Sequence, residues 1–464
     1  MDPHLRALAQ TEPSCFWLDR AERPPASASL EDDEEADLVI VGGGFTGLWA
    51  ALQEAEADHG RKIVLIEATR VAQGASGRNG GFADPSLTHG LENGYAHFPS
   101  EMESVLELGG RNFAEFKETL QRHQIDPHLE QTGTLDVATQ PYLVDGLRES
   151  QELMERFGQT ASLLGRDAIR TEIDSPLFEG ALFRPGTALL DPARLAWGLL
   201  GAVQKLGVRV YEKTPMLGLA RHGSGVEVRT EVARVRAEKC LLATNAFKNP
   251  VRRARWATVP IWDYVLVSEP LSSERMNALG WQRRQGVGEE TNQFQYYRLT
   301  HDNRILWGGY DAIYHFGSRI QPSYEQRRAS FEGLSSRFFQ TFPQLEGLSF
   351  THHWGGPIAS TTRFCLDAGT SHGGRVSWAG GYTGLGVVAS RFGGRVALDL
   401  LDHPDRPELA LSLVRKRPIP WPPEPLRSLA IGLTQRELAR ADRNEGRRGA
   451  WLRLLDRLGL GFNS

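Results

Sequence analysis

Asp37-Leu-Val-Ile-Val-Gly-Gly-Gly-Phe-Thr-Gly47 runs from an apolar strand-like segment straight into a glycine-rich turn. Such a turn binds a dinucleotide when a helix follows it. Gly42 permits the tight bend, Gly44 lets backbone N–H groups approach a pyrophosphate with no side chain between, and Gly47 lets the next helix pack on the strand. Phe45 and Thr46 stand at the helix N-terminus that would face the phosphates. A helical stretch over residues 48–57 follows, then the apolar run Lys62-Ile-Val-Leu-Ile66, then Glu67. Glu67 lies 20 residues past Gly47, where a carboxylate accepts hydrogen bonds from an adenosine ribose and repels a 2′-phosphate.

The rest of the chain narrows the class. Its 464 residues suffice for two or three domains, and 40% hydrophobic with 24% charged residues is an ordinary globular balance. With 53 Lys+Arg against 57 Asp+Glu, the net charge of −4 offers no basic field for nucleic acid. Three scattered cysteines, Cys15, Cys240 and Cys365, lack metal-ligand spacing and argue against a disulfide framework. No apolar run reaches membrane-spanning length and the first residues are too polar for a signal peptide, so a cytoplasmic location is expected, with no metal.

Residues 1–36 read as an arm or linker, with Pro24-Pro25 and the acidic cluster Glu31-Asp-Asp-Glu-Glu35, and with Trp17 as its anchor. Helical periodicity predicts helices over 98–123 and 142–157, and alternation predicts a strand over 132–138. Asp191-Pro192 caps a helix running to about Lys205, followed by strands near 208–212, 225–229, 234–238 and 240–246. Residues 250–350 are strand-rich and aromatic. A second strand and glycine turn, Val376-Ser-Trp-Ala-Gly-Gly-Tyr-Thr-Gly-Leu-Gly-Val387, precedes a helix. The interleaving predicts an α/β plus α+β chain: a discontinuous nucleotide domain (37–95, 186–248 and 350–405) carrying an inserted substrate domain (96–185 and 249–349). Residues 406–464 form a helical extension that contains the stiff spacer Pro418-Ile-Pro-Trp-Pro-Pro-Glu-Pro425 and, beyond it, a Trp451, Leu454, Leu455, Leu458 stripe. That stripe either folds back on the chain or serves a second copy, a partner or a membrane surface.

Gly74-Ala-Ser-Gly-Arg-Asn-Gly-Gly-Phe82 carries a resemblance to a known family. With Val41-Gly-Gly-Gly-Phe-Thr-Gly-Leu48, Ala243-Thr-Asn-Ala246, Arg304-Ile-Leu-Trp-Gly-Gly309 and Gly380-Gly-Tyr-Thr-Gly-Leu-Gly-Val387, the chain resembles the flavin-dependent D-amino-acid oxidase superfamily. The branch is that of glycine and sarcosine oxidases and γ-glutamylputrescine oxidases. The resemblance implies a Rossmann-like FAD-binding domain with an inserted antiparallel-sheet substrate domain. It assigns FAD contacts to Ala75, Ser76, Arg78, Asn79 and Gly80, to Ala243 and Thr244, to Gly381, Tyr382, Gly384, Leu385, Gly386 and Val387, and to Met216 for adenine. Arg78 would neutralise phosphate or approach the ring, or only close a loop by ion pairing. A helix starting near Gly386 would aim N–H groups at the pyrimidine side of the ring, where reduction places negative charge.

Some relatives attach FAD through cysteine, but that position falls near Gly356, and no histidine follows Ser76; FAD is expected to be noncovalent. Arg78, Tyr297, Trp307, Asp311 and Tyr382 are the candidate catalytic residues, with His89, His352 and His353 as candidate bases. The oxygen-activating lysine of sarcosine oxidases aligns near Trp307 and the following histidine near Asp311, so no oxygen-activating cation is evident and oxidase and dehydrogenase both stay open; Asp311 could instead face a cationic substrate. The implied reaction takes a hydride from the α-carbon of a primary or secondary amine or amino acid to flavin N5, giving an imine that hydrolyses, with O2 reduced to H2O2. An amine dehydrogenase with a quinone or protein acceptor, and a non-catalytic flavin-binding subunit, are the alternatives.

Overall fold

The computed structural model describes residues 2–460. Two eight-stranded sheets organise the chain. In the first, the strands Val376–Gly380, Arg234–Leu242, Glu34–Val41, Ile63–Ile66 and Arg209–Tyr211 run parallel in that spatial order, with Asp367–Ser371 antiparallel at one edge. Alternate residues of Glu34–Val41 divide between the faces, as the two-residue strand period requires. Leu38 and Ile40 join a core with the helices Phe45–Ala57, Pro192–Lys205 and Gly386–Asp402, while Val39 and Val41 join one with Val226 and Val228 of the hairpin beyond. Asp191 caps its helix as expected, its carboxylate accepting from the Ala193 and Arg194 N–H groups. The strands expected at 234–238 and 240–246 are one strand, Arg234–Leu242.

The second sheet runs Phe350–Thr361, Thr258–Ser268, Ile305–Ile313, Gln295–Leu299, Gly286–Glu289, Thr134–Ala138, Gly180–Arg184 and Ser162–Gly165. All its pairings are antiparallel except Gly286–Glu289 with Thr134–Ala138. One face packs on the helix Arg328–Thr341 through Tyr264, Tyr297, Trp307 and Phe338. The other turns toward the nucleotide turn of the first sheet.

Two expectations need correction. Residues 350–361, expected with the nucleotide domain, pair with Thr258–Ser268 from Thr258↔Thr361 to Ser268↔Phe350 and so belong to the second sheet. This ladder joins segments some eighty residues apart, and no local pattern encodes it. The arm at residues 1–36 is anchored by Trp17, which is buried and donates from Nε1 to the Asn79 carbonyl (3.0 Å), but it ends sooner than expected, because Glu34 and Glu35 already belong to a strand.

The extension forms the helices Leu426–Arg443 and Ala450–Arg457, which pack through Leu438, Ala441 and Leu452. It folds back on the chain, where Asp442 accepts from the Asn292 and Gln293 backbone N–H groups (3.0 and 2.9 Å). Leu452 is the buried member of the second helix, while Leu454 and Leu458 of the expected stripe are exposed. Among the described residues no helix is long and apolar enough to cross a membrane.

Candidate cofactor and substrate site

The nucleotide turn is shaped by close backbone approach. Gly42 has φ +114°, and a Cβ there would meet the Ala243 carbonyl oxygen at 2.6 Å; a Cβ on Gly47 would meet the Gly42 oxygen at 2.0 Å. Both positions are therefore fixed by packing before any ligand enters. Glu67 holds the same turn, accepting from the Gly43 N–H at 2.8 Å and the Thr69 N–H at 2.9 Å. Ser76 Oγ accepts from the Phe45 N–H (2.8 Å) and pins the second glycine-rich loop to the helix start. Asn79 organises that loop internally, donating to the Ala75 and Ser76 carbonyls and accepting from the Gly81 N–H.

Arg78 ties this loop to the second sheet. Its guanidinium donates to the Gly355 carbonyl (3.1 Å) and pairs with Glu325 (2.7 Å), and its carbonyl accepts from Trp354 Nε1 (3.0 Å). The third glycine turn closes from the opposite side. Tyr382 is buried, its hydroxyl 2.9 Å from Thr46 Oγ1, and Gly381 and Gly384 take φ +78° and +97° just before the helix Gly386–Asp402.

These pieces converge on one cavity of about 1410 Å³. Gly44, Phe45, Thr46, Ala75, Ser76, Arg78, Asn79, Gly80, Ala243, Tyr382, Gly384, Leu385, Gly386 and Val387 line it from the first sheet. Asp263, Tyr296 and Trp354 face them from the second. Gly42, Gly47, Glu67, Met216, Thr244 and Gly381 stand outside the lining: Gly42 and Gly47 shape the turn, Met216 packs on the hairpin core, and the buried Thr244 Oγ1 has no hydrogen-bond partner. Side-chain-free backbone at Gly44, Gly80, Gly384 and Gly386 along the cavity wall suits close approach of a flavin dinucleotide.

Three of the candidate catalytic residues do not reach this cavity. Tyr297 and Trp307 are fully buried and stack on each other with ring centroids 4.3 Å apart, on the face covered by Phe338 and Phe342. Strand period is the reason: Tyr296 faces the cavity, so Tyr297 must face away. Asp311 pairs with Arg327 at 2.9 Å and with Ser330 and is absent from the lining. His352 and His353 also lie outside it, and His353 packs on Phe331. His89 does line it, but burial lowers its pKa to about 4, so it is neutral at physiological pH.

Asp263 is the residue that sequence reasoning missed. Burial raises its carboxyl to about 7, against the lowering effect of the Tyr296 hydroxyl and the Tyr264 N–H. The Tyr296 hydroxyl donates to Asp263 Oδ2 at 2.6 Å. Gly308 makes this possible: a Cβ there would lie 2.0 Å from Tyr296 Cζ, so the ring crosses the strand through the space glycine leaves. The available signal was a lone acid in the otherwise apolar run Ile261-Trp-Asp-Tyr-Val265. Among the described residues Glu12, Asp19 and His352 bring ligand atoms within 4.8 Å, but both acids are exposed and the group lies apart from the cavity.

A Rossmann-like sheet, an antiparallel second sheet and a glycine-lined cavity between them define a flavin-dependent oxidoreductase. Residues 37–400 match the FAD dependent oxidoreductase (DAO) family, and the chain belongs to it. It is 30% identical over 394 residues to the γ-glutamylputrescine oxidoreductase of Escherichia coli, covering 84% of this chain and 88% of that protein. It is 23% identical to human mitochondrial dimethylglycine dehydrogenase, covering 83% of this chain and 45% of that one. In fold it matches glycine oxidase from Geobacillus kaustophilus with a TM-score of 0.68 at 20% identity, covering 82% of this chain and 99% of that one. L-Proline dehydrogenase from P. horikoshii gives 0.66 at 18%, covering 81% and 95%. The chain is thus an FAD-dependent enzyme of the amine and amino-acid oxidase type.

Proposed function

We propose that this chain oxidises a C–N bond of a primary or secondary amine, with O2 as the terminal acceptor and H2O2 as its product. The observation that carries the reading is the Asp263–Tyr296 pair, which faces the FAD-lining loops across one cavity. In this reading the first sheet and its helices hold noncovalent FAD, and the second sheet holds the amine. The E. coli relative named for γ-glutamylputrescine supports an amine substrate. Free, buried cysteines accord with a cytoplasmic site of action.

Bound in this cavity, FAD would supply the acceptor for the hydride on the carbon next to nitrogen. The residues of this chain supply the rest. Asp263 has its proton affinity raised close to neutrality, so it can take the proton of an ammonium and leave the neutral amine whose α C–H reacts. Tyr296 fixes the carboxylate oxygen that does so. Trp354 and Tyr296 wall the substrate side and limit water. At the opposite wall the N-terminus of the helix Gly386–Asp402 would supply N–H donors and a positive dipole end to negative charge on a reduced flavin. The imine product leaves and is hydrolysed by water.

The test is anaerobic mixing of the FAD-loaded protein with primary and secondary amines, read by loss of flavin absorbance, then peroxide assay under air. Bleaching followed by stoichiometric peroxide is expected. Flavin that no amine reduces would overturn the amine assignment, and bleaching without peroxide would overturn the oxidase half of it.

A further inference from the structure

The chemistry above uses one region of the cavity; another is walled by carboxylates that take no part in it. In register, Gly288 pairs with Asp136 on one side and with Tyr296 on the other, so the three stand in one row across the second sheet and face the same way. Gly288 has no side chain, and the row is a trough between the Tyr296 ring and the Asp136 carboxylate. Two strand spacings separate these residues, roughly 10 Å.

Asp84, Glu92 and Glu290 line the same cavity as Asp136. The cation among them is Arg184, whose Nε lies 2.6 Å from Asp136 and whose NH1 lies 3.9 Å from Asp84. One guanidinium thus faces four carboxylates. Burial, with the negative charge of Asp136 next, raises Glu290 to about 8, and burial raises Asp136 as well despite Arg184. A second observation is independent of charge. Thr134, 4% exposed and two residues from Asp136 on the same strand face, lines the cavity with an Oγ1 that has no hydrogen-bond partner. A buried hydroxyl left unbonded is costly, and an incoming N–H donor would satisfy it. Among the described residues these acids do not bring three ligand atoms within 4.8 Å, a spread that suits an ammonium with its methylenes better than a metal ion.

We propose that the Asp136–Glu290–Glu92 region is a second cation subsite, and that the substrate is an α,ω-diamine or longer polyamine bridging it to Asp263. One nitrogen sits among these acids and Thr134, while the other presents its C–N bond at the Asp263–Tyr296 pair. Asp263 and Asp136 stand four strand spacings apart, roughly 19 Å, and the reach of their side chains over the sheet leaves the two nitrogens roughly 10–14 Å apart. The inference rests on the amine-oxidation reading and adds the class of amine.

Calorimetric titration of the FAD-loaded protein with diamines of seven to twelve carbons, and with n-alkylamines of equal length, tests the subsite without turnover. The best diamine should bind at least ~10-fold tighter than its monoamine, and Glu290→Gln should weaken the diamine about 10- to 100-fold while changing the monoamine less than about twofold. Glu92→Gln should act in the same direction, and it decides the matter if Glu290→Gln fails to fold. Equal affinities for diamine and monoamine in the wild type, or a diamine preference that survives both substitutions, would overturn the proposal. Anaerobic bleaching with the same amines separates the two readings. Glu290-dependent diamine binding with no bleaching by any amine sinks amine oxidation and keeps the subsite; bleaching by every amine with binding indifferent to Glu290 does the reverse.

Discussion

The Tyr296 hydroxyl lies 2.6 Å from Asp263 Oδ2, and the ring that carries it lies across Gly308, the residue between their two strands. This contact places a carboxylate with a proton affinity near neutrality opposite the glycine loops proposed to hold the flavin.

Asp263→Asn should lower the rate of anaerobic flavin reduction by about 10²- to 10⁴-fold, the usual worth of a positioned proton acceptor. In the wild type kcat/KM should rise as pH passes through about 7, where Asp263 ionises. The Asn variant should lack that rise, and a rise that persists would remove Asp263 from the mechanism.

The same carboxyl makes a stability prediction. Its folded pKa is raised from 3.8 to about 7, so its contribution is complete below 3.8 and is lost as pH climbs through 7. Asp263→Asn cannot ionise and should melt higher than wild type at pH 8, by roughly 1–3 °C for a chain of this size, with the gap closing by pH 4. Thermal scans at the two pH values check this, and a gap of equal size at both contradicts it.

Gly308→Ala places a methyl 2.0 Å from Tyr296 Cζ and must displace the ring. Asp263 then loses the hydrogen bond that lowers its pKa, and the midpoint of the pH profile should move up by about half a unit or more. A profile that overlays the wild type would mean that Tyr296 does not tune Asp263.

Glu67→Ala should weaken FAD binding about 10- to 150-fold, the equivalent of roughly 1.5–3 kcal/mol for a charge-assisted contact. Glu67 also holds the Gly43 N–H at 2.8 Å, so the loss includes loosening of the turn itself. Fluorimetric titration of the apoprotein with FAD gives the comparison, and an unchanged Kd removes Glu67 from the site.

Acid precipitation should release all flavin into the supernatant. Cys15, Cys240 and Cys365 are buried, free and absent from the cavity lining, and burial pushes the Cys15 and Cys365 thiols up to about 11, away from the thiolate that attachment would need. Flavin retained in the pellet would contradict this.

Local geometry made the nucleotide turn, the capped helix at Asp191 and the third glycine turn readable from residues alone. Each rests on contacts within a few positions, such as Asp191 with the Ala193 and Arg194 N–H groups, or on glycines that leave room for backbone. The two-residue period was also in the sequence, but which phase of Gln295–Leu299 meets the cavity was not. Tyr296 and Tyr297 are adjacent and chemically alike, and only sheet pairing sends the first to the cavity and the second into the core.

Tertiary structure also decided that Phe350–Thr361 belongs to the second sheet and that Asp263 meets Tyr296. It brought Asp136, Glu290, Glu92 and Asp84 from distant segments to one wall. A glycine turn is written in consecutive residues because its cause, close backbone approach, acts over one turn of chain. A pair such as Asp263 and Tyr296 has no such record, because the strand ladder that joins them exists only once the sheet has formed.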